Sequence, residues 1–382
     1  MDLPIYFDYN ASTPCLPEVV SAIMPYFTTA FGNASSVHHP YGWLAEEAVE
    51  IAREQVASLI GAEANEIIFT SGATEAINLG IKGIAQSADP DKNHLITIAT
   101  EHKAVLDTIE SLADQGFEVS CLPVGAEGEI SLDQLESSFR ENTLMVVAMM
   151  ANNETGKLHP IKEMAALSKA HGTLFLTDAV QAVGKVPVDV RDLGVDILAL
   201  SGHKMYGPKG VGALYINKEL SKIKLKAQIT GGGHERGRRS GTLNVPGIVG
   251  LGKAAECCTD DLDEEGFRLL KLRKQLENGL LQIQGCRING GSLRLPHVCN
   301  VSFNEVPGKT LLIRINKKLA VSSGAACSSI SDKPSHVLTA MGLDQKTAMA
   351  TLRLSLGRLT TASDIAFAIE YIHEVIEDLR SI

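Results

Sequence analysis

The sequence predicts an α/β protein: a large, mostly parallel sheet covered by helices on both faces, joined to a smaller α+β unit. Three observations carry that expectation. From about residue 43 to residue 216, short apolar runs rich in β-branched residues alternate with helix-period stretches. The runs are nearly continuous in apolar residues, as strands buried on both faces must be. The chain has 382 residues, 45% of them apolar, which exceeds one typical domain and is enough for a substantial core.

Taken in order, WLAEEAVEIAREQVASLI (43–60) places Leu44, Ala48, Ile51, Ala52, Val56 and Leu59 on one helical face, and Gly61 ends the helix. Six strand candidates follow: EIIFT (66–70), HLITIAT (94–100), LMVVAMMA (144–151), TLFLT (173–177), DILAL (196–200) and VGALYI (211–216). GKAAECCTD then reads as a helix followed by a turn, with Cys257 and Cys258 packed in the core. Beyond residue 260, DLDEEGFRLLKLRKQLENGLLQI is a long amphipathic helix that opens the smaller unit.

Several function classes are disfavoured. No apolar run reaches membrane-spanning length, and MDLPIYFDYN lacks the basic-then-apolar pattern of a secretory signal. A soluble, cytoplasmic protein with no membrane partner is expected. A net charge of −10 argues against direct nucleic-acid binding. The Gly-rich basic run GGGHERGRRS lacks interleaved aromatics and reads better as a phosphate or active-site loop. Seven cysteines, at 15, 121, 257, 258, 286, 299 and 327, include no C-x-x-C pair. Neither a disulfide framework nor a metal site is expected from that pattern.

In open α/β sheets, ligands bind outside the carboxyl ends of the strands. Here five strand candidates end in chemically capable groups: Ser71-Gly72-Ala73-Thr74-Glu75, Glu101-His102, Asn152-Asn153-Glu154, Asp178 with Gln181, and Ser201-Gly202-His203-Lys204. FTSGATEAINLG joins a strand to a helix through small residues, so that helix N–H groups can meet a phosphate; a plain N-cap at Ser71 or Thr74 is the alternative. Asp178 could hold a pyridine nitrogen protonated and make the ring an electron sink, with Gln181 reaching a ring substituent. Lys204, at the end of a buried strand, is a candidate amine nucleophile, whereas Lys209 lies in a Gly-Pro-Lys-Gly turn. His102 could cover a flat ring. Together these groups describe pyridoxal phosphate.

The stretches FGNASSVH, FTSGATEAINL, TEHKAVL, NNETG, TDAVQAVGK, SGHKMYGPKG, GGGHERGRRSGTLN, SSGAACSS and LRLSLGR resemble, in order, the motifs of cysteine desulfurases. These are fold-type I, class V enzymes of pyridoxal phosphate, and the likeness is greatest to the group serving iron–sulfur clusters. The resemblance implies a homodimer whose protomer has a large cofactor domain with a seven-stranded sheet, residues 15–260. Residues 1–14 and 261–382 would form the small domain. Lys204 would carry the cofactor, Asp178 pair with its ring nitrogen, Gln181 bond its phenolic oxygen, and His102 stack on the ring. Ala73, Thr74, Ser201 and His203 would hold the phosphate, and Thr242 would reach the phosphate of the neighbouring subunit. Asn153 and Arg353 would bind the substrate, with Arg353 as the carboxylate clamp. Asn244 stands where the family pattern has proline, and Arg238-Arg239 is more basic than usual.

The resemblance also assigns Cys327, in SSGAACSS, as sulfur acceptor. L-cysteine would become L-alanine while Cys327 becomes a persulfide, passed on to an iron–sulfur scaffold or other sulfur-carrier protein. His102 would move protons to or from the thiols. The small residues around Cys327 suggest a segment, 322–334, that is variable in position. Alternatives share the cofactor residues: a sulfur donor for thio-modification of DNA or tRNA, a class V aminotransferase, or a selenocysteine lyase. An aminotransferase or selenocysteine lyase would not need Cys327.

Overall fold

The computed structural model describes residues 3–222, 225–323 and 333–381. Cys327 and most of the 322–334 segment therefore lie outside the described residues. Of that segment, Ser322–Ser323 forms a short strand and His336–Ala340 a helix just beyond it.

The chain opens with strand β1 (Ile5–Tyr6). A large sheet follows, built from β2 (Ile67–Thr70), β3 (His94–Ile98), β4 (Glu118–Leu122), β5 (Thr143–Met149), β6 (Leu174–Asp178), β7 (Ile197–Ser201) and β8 (Gly212–Ile216). Its spatial order is β2-β8-β7-β6-β5-β3-β4. Only β8 runs against its neighbours, so the sheet is seven-stranded and mostly parallel as expected. Strands β2, β3, β5, β7 and β8 are buried along their whole length and β6 beyond its first residue, which explains their apolar sequences. The sequence reading did not list β4, which is an edge strand with three of its five residues exposed. An edge needs only one apolar face, so EVSCL carries no continuous apolar run.

The Pro40–Leu59 helix buries Ala45, Ala48, Val49, Ala52 and Val56. This corrects the expected face: Leu44 and Ile51 point outward, at 53% and 50% exposure. The helix has two apolar stripes, and the smaller side chains take the inner one because the helix packs closely on Val245–Leu280. There, Gly252 faces the backbone of Ala52, so closely that a Cβ would sit 2.6 Å from its Cα.

A second correction concerns the turn expected near residue 260. Val245–Leu280 is one uninterrupted helix of 36 residues, running straight through the expected domain boundary. TDDLDEE contains no glycine or proline to stop it, and the Thr259 hydroxyl bonds back to the Ala255 carbonyl at 3.1 Å. Cys258 is core, as expected, but Cys257 is only partly buried, on the edge of the same helix face. Asn244 caps this helix through Oδ1, which accepts the Gly247 N–H at 3.2 Å, so the replaced proline position has a local structural use.

The remaining strands are β9 (Cys286–Ile288), β10 (Val298–Phe303), β11 (Leu319–Ala320), β12 (Ser322–Ser323) and β13 (Thr351–Ser355). They form a sheet β12-β13-β10-β9, and β11 pairs in parallel with β1. Phe7 joins Leu276, Val301, Leu354 and Ile372 in a separate apolar core, so the N-terminus is packed among C-terminal elements.

Candidate active site

Because β2, β3, β5, β6 and β7 all run the same way, their carboxyl ends meet at one edge of the large sheet. At β2 the chain turns through Ser71-Gly72 into the Ala73–Ala85 helix. The N-cap is Gly72, and no side chain caps the helix, so neither Ser71 nor Thr74 plays that part. Gly72 has φ +153°, and a Cβ there would meet nothing within 4 Å. The first-turn N–H groups, at Ala73 and Thr74, thus border open space with the positive end of the helix dipole behind them. Gly212 on β8 makes the approach possible: a Cβ there would lie 2.8 Å from the Gly72 Cα. The rim is braced by Glu75, which accepts the Ser71 N–H at 2.8 Å and pairs with Arg239 at 2.7 Å. Arg239, expected to belong to a phosphate loop, is therefore engaged by a carboxylate.

Asp178 ends β6 and is buried, receiving the Val180 N–H at 3.0 Å. Burial raises its pKa, against the pull of that N–H, His102 and Lys204. Behind it, fully buried Glu101 is held well above the ordinary carboxylate range by burial and by Asp178 itself. Glu101 Oε1 takes the Met149 N–H, while its Oε2 has no partner among the described residues. Asp178, whose anionic form His102 and Lys204 favour, is thus the carboxylate better placed to meet a cation. His102 caps the Lys103–Ala113 helix, with Nδ1 accepting the Ala104 N–H at 3.1 Å. That bond occupies the Nδ1 lone pair, so the neutral ring carries its proton on Nε2.

Lys204 follows β7 in a single 3₁₀ turn with His203. Its amine donates to the carbonyl of Asn10 and, at 2.8 Å, to that of Ala11. The same Asn10 carbonyl accepts Gln181 Nε2 at 3.1 Å. Burial, with Lys204, Lys209 and Lys185 nearby, depresses the His203 pKa to about 4, so its ring is neutral near pH 7. Lys209 is exposed, in agreement with its reading as a turn residue. Ser201 is buried at the end of β7, opposite Gly212.

Asn10 is one residue that strand-end reasoning missed, and Asp8 is another. Asn10 is buried, and its side chain links Asn153 (Nδ2 to carbonyl, 3.0 Å) to His297 (Oδ1 to Nε2, 2.8 Å). The one available signal was its place in small-residue NASTP just after the apolar Ile5–Phe7 run. Arg353, on β13, is equally buried and donates to the Asn153 carbonyl at 3.0 Å and to Asp8 at 2.6 Å. Two of its five donors are thus committed, and its Nε has no partner among the described residues. Ser322, paired with Arg353 across the sheet, bonds the other Asp8 oxygen at 2.9 Å. Thr242 is exposed at the protein surface.

The sequence profile of the family described as Aminotransferase class-V matches residues 5–367, and the chain belongs to that family. Within it, "Cysteine desulfurase IscS" of Anaeromyxobacter dehalogenans (strain 2CP-C) is 49% identical over 382 residues, spanning 100% of this chain and 94% of the relative. Among solved structures, a "NIFS-LIKE PROTEIN" superposes with a TM-score of 0.92 at 37% identity, covering 99% of this chain and 100% of its own. "SspA in complex with cysteine" gives 0.83 at 39% identity, covering 92% and 98%.

Proposed function

We propose that this protein is a pyridoxal-phosphate-dependent cysteine desulfurase that converts L-cysteine to L-alanine and passes the sulfur, through Cys327, toward iron–sulfur cluster assembly. The observation that carries this reading is the meeting of buried Asp178, Lys204 and an uncapped helix N-terminus at one sheet edge, in a chain related over its full length to cysteine desulfurases.

The residues present fit the cofactor. The open space at Gly72, with the Ala73 and Thr74 N–H groups, suits a phosphate, which Ser201 and neutral His203 would also hold. Buried Asp178 suits a protonated pyridine nitrogen, Gln181 the phenolic oxygen, His102 the ring face and Lys204 the aldehyde carbon. When bound, the cofactor would supply a positively charged ring able to take up electron density from a substrate carbon. The chain's own groups do the rest. Lys204 Nζ would accept and return the substrate Cα proton, and His102 Nε2 would move the thiol proton. Asn153 and Arg353 would orient the substrate carboxylate, using the guanidinium donors left over from Asp8. The Cys327 sulfur would form a bond to the substrate sulfur as the substrate's C–S bond breaks. L-cysteine and one thiol then yield L-alanine and one persulfide, with no outside oxidant or reductant.

The reading extends to the assembly. Residues 15–260 would be the cofactor unit and 1–14 with 261–382 the smaller one, a division supported by the core that joins Phe7 to residues between 269 and 379, while Leu295 and Val298 pack into the larger core. Exposed Thr242 would serve the partner's phosphate in a homodimer. The described cysteines are all free, which suits a reducing cytoplasm. The test is direct. Purified protein should bind pyridoxal phosphate with a visible absorbance that Lys204→Ala abolishes. With L-cysteine and a thiol reductant it should release sulfide and alanine in equal amounts. Cys327→Ser should keep the absorbance and lose sulfide release; full activity in that variant refutes the persulfide route.

A further inference from the structure

Resting on that reading of the site, we propose that Lys185 is a positioning residue: by holding the oxygen of the Gln181 amide, it fixes the amide nitrogen toward Lys204 and the cofactor's phenolic oxygen. Lys185 Nζ donates to Gln181 Oε1 at 3.0 Å. An amide has one accepting and one donating end, so anchoring the oxygen settles where the nitrogen points. Gln181 Nε2 then meets the Asn10 carbonyl at 3.1 Å, the same carbonyl that accepts the Lys204 amine. Without Lys185 the flipped amide would set its oxygen against that carbonyl and against the cofactor oxygen, opposing acceptor to acceptor.

The setting of Lys185 marks it as more than a surface cation. Among the described residues it makes no ion pair; the charged or titratable groups around it are Lys204, Arg353, Cys258, His203 and His297. Glu265 lines the same small cavity as Lys185 and His297, about 20 Å³ in volume. Burial, with Lys204 and Arg353 adding to it, pushes the Lys185 amine down to about 7. A plain packing role would be better filled by methionine or leucine, which carry no charge to desolvate.

The experiment loads wild type, Lys185→Met, Gln181→Leu and the double variant with pyridoxal phosphate and titrates the cofactor absorbance against pH. A Gln181 N–H donated to the cofactor oxygen stabilises its anionic form, so losing that bond raises the midpoint. Lys185→Met should raise it by about one pH unit, the size of one buried hydrogen bond, and weaken cofactor binding about tenfold. In the Gln181→Leu background, Lys185→Met should add little, because its route runs through that amide. Lys185→Gln, which keeps a donor, should restore most of the wild-type midpoint, and it serves if Lys185→Met fails to fold. A wild-type midpoint in Lys185→Met, or in Lys185→Leu should Met misfold, overturns the proposal. So does a full additive shift in the double variant, which would leave only the lost charge. Failure of wild type to bind the cofactor would instead sink the functional reading beneath it.

Discussion

Glu154 shows how a side chain beside the site is set by its surroundings. It is fully buried, accepts the Ser335 hydroxyl at 2.5 Å, and is pushed up to about 7 by burial, with Arg353 and His102 pulling the other way. The sign follows from proton linkage. Below pH ~4.5 the carboxyl is protonated in folded and unfolded chains alike; above it the unfolded chain sheds the proton first, so rising pH favours unfolding until the folded carboxyl also ionises. Glu154→Gln removes that titration. Its melting temperature, relative to wild type, should climb from pH 4.5 to 7 and then level off, a gain of roughly 3 kcal/mol at most. A difference that is flat across the range would show that Glu154 is already ionised in the fold. Strand-end reasoning brought Glu154, Asp178, Gln181 and Lys204 to notice because each follows an apolar run. It could not find Asn10 or Asp8, whose partners Lys204 and Arg353 lie 194 and 345 residues away. No local spacing encodes such bonds.

The segment from Gly231 to Asn244 raises the same question for a stretch of chain. Its composition suggested a loop that meets phosphate, yet its anchors are carboxylate–guanidinium pairs. Glu235 makes two bonds of 2.8 Å to Arg53 and also accepts the Phe69 N–H at 2.8 Å, all three buried. Glu235 and Arg236 adopt positive φ, 49° and 58°, a cost these bonds offset. Breaking such a pair from one side leaves buried Arg53 with only half-exposed Glu50 and the Ile67 carbonyl, so Glu235→Ala should cost about 3 kcal/mol in denaturant unfolding. Glu235→Gln, which still accepts Phe69 N–H, should cost less, and Arg53→Met combined with Glu235→Leu should recover much of the loss. Equal stability of Glu235→Ala and wild type would mean the anchor is idle. The pattern-based reading of elements succeeded where both faces are buried, as in β5 and β6. It failed for the edge strand β4 and for the uninterrupted Val245–Leu280 helix, because neither leaves a strong apolar period or a breaker in the sequence.

The outward stripe of the Pro40–Leu59 helix bears on the assembled molecule. Tyr41, Leu44 and Ile51 lie three and seven residues apart, on one helical face, and each is at least half exposed. Phe31, 65% exposed, packs against Tyr41 with ring centroids 5.4 Å apart, and Trp43 and Val37 extend the patch, joined by an indole-to-carbonyl bond of 2.8 Å. Exposed apolar surface of this extent is costly in water and calls for a partner. A second copy of the chain fits, since it would cover the patch and supply the exposed Thr242 to the neighbouring phosphate. Light scattering should therefore give the mass of two chains. Leu44→Glu with Ile51→Glu, which touches neither Asp178 nor Lys204, should yield single chains that retain pyridoxal phosphate poorly, because each site then lacks the partner's threonine. Thr242→Ala should weaken cofactor retention while leaving the dimer intact. If the charged variant stays a dimer, this face is not the interface; if it is monomeric yet holds the cofactor as tightly as wild type, the sites do not depend on the partner.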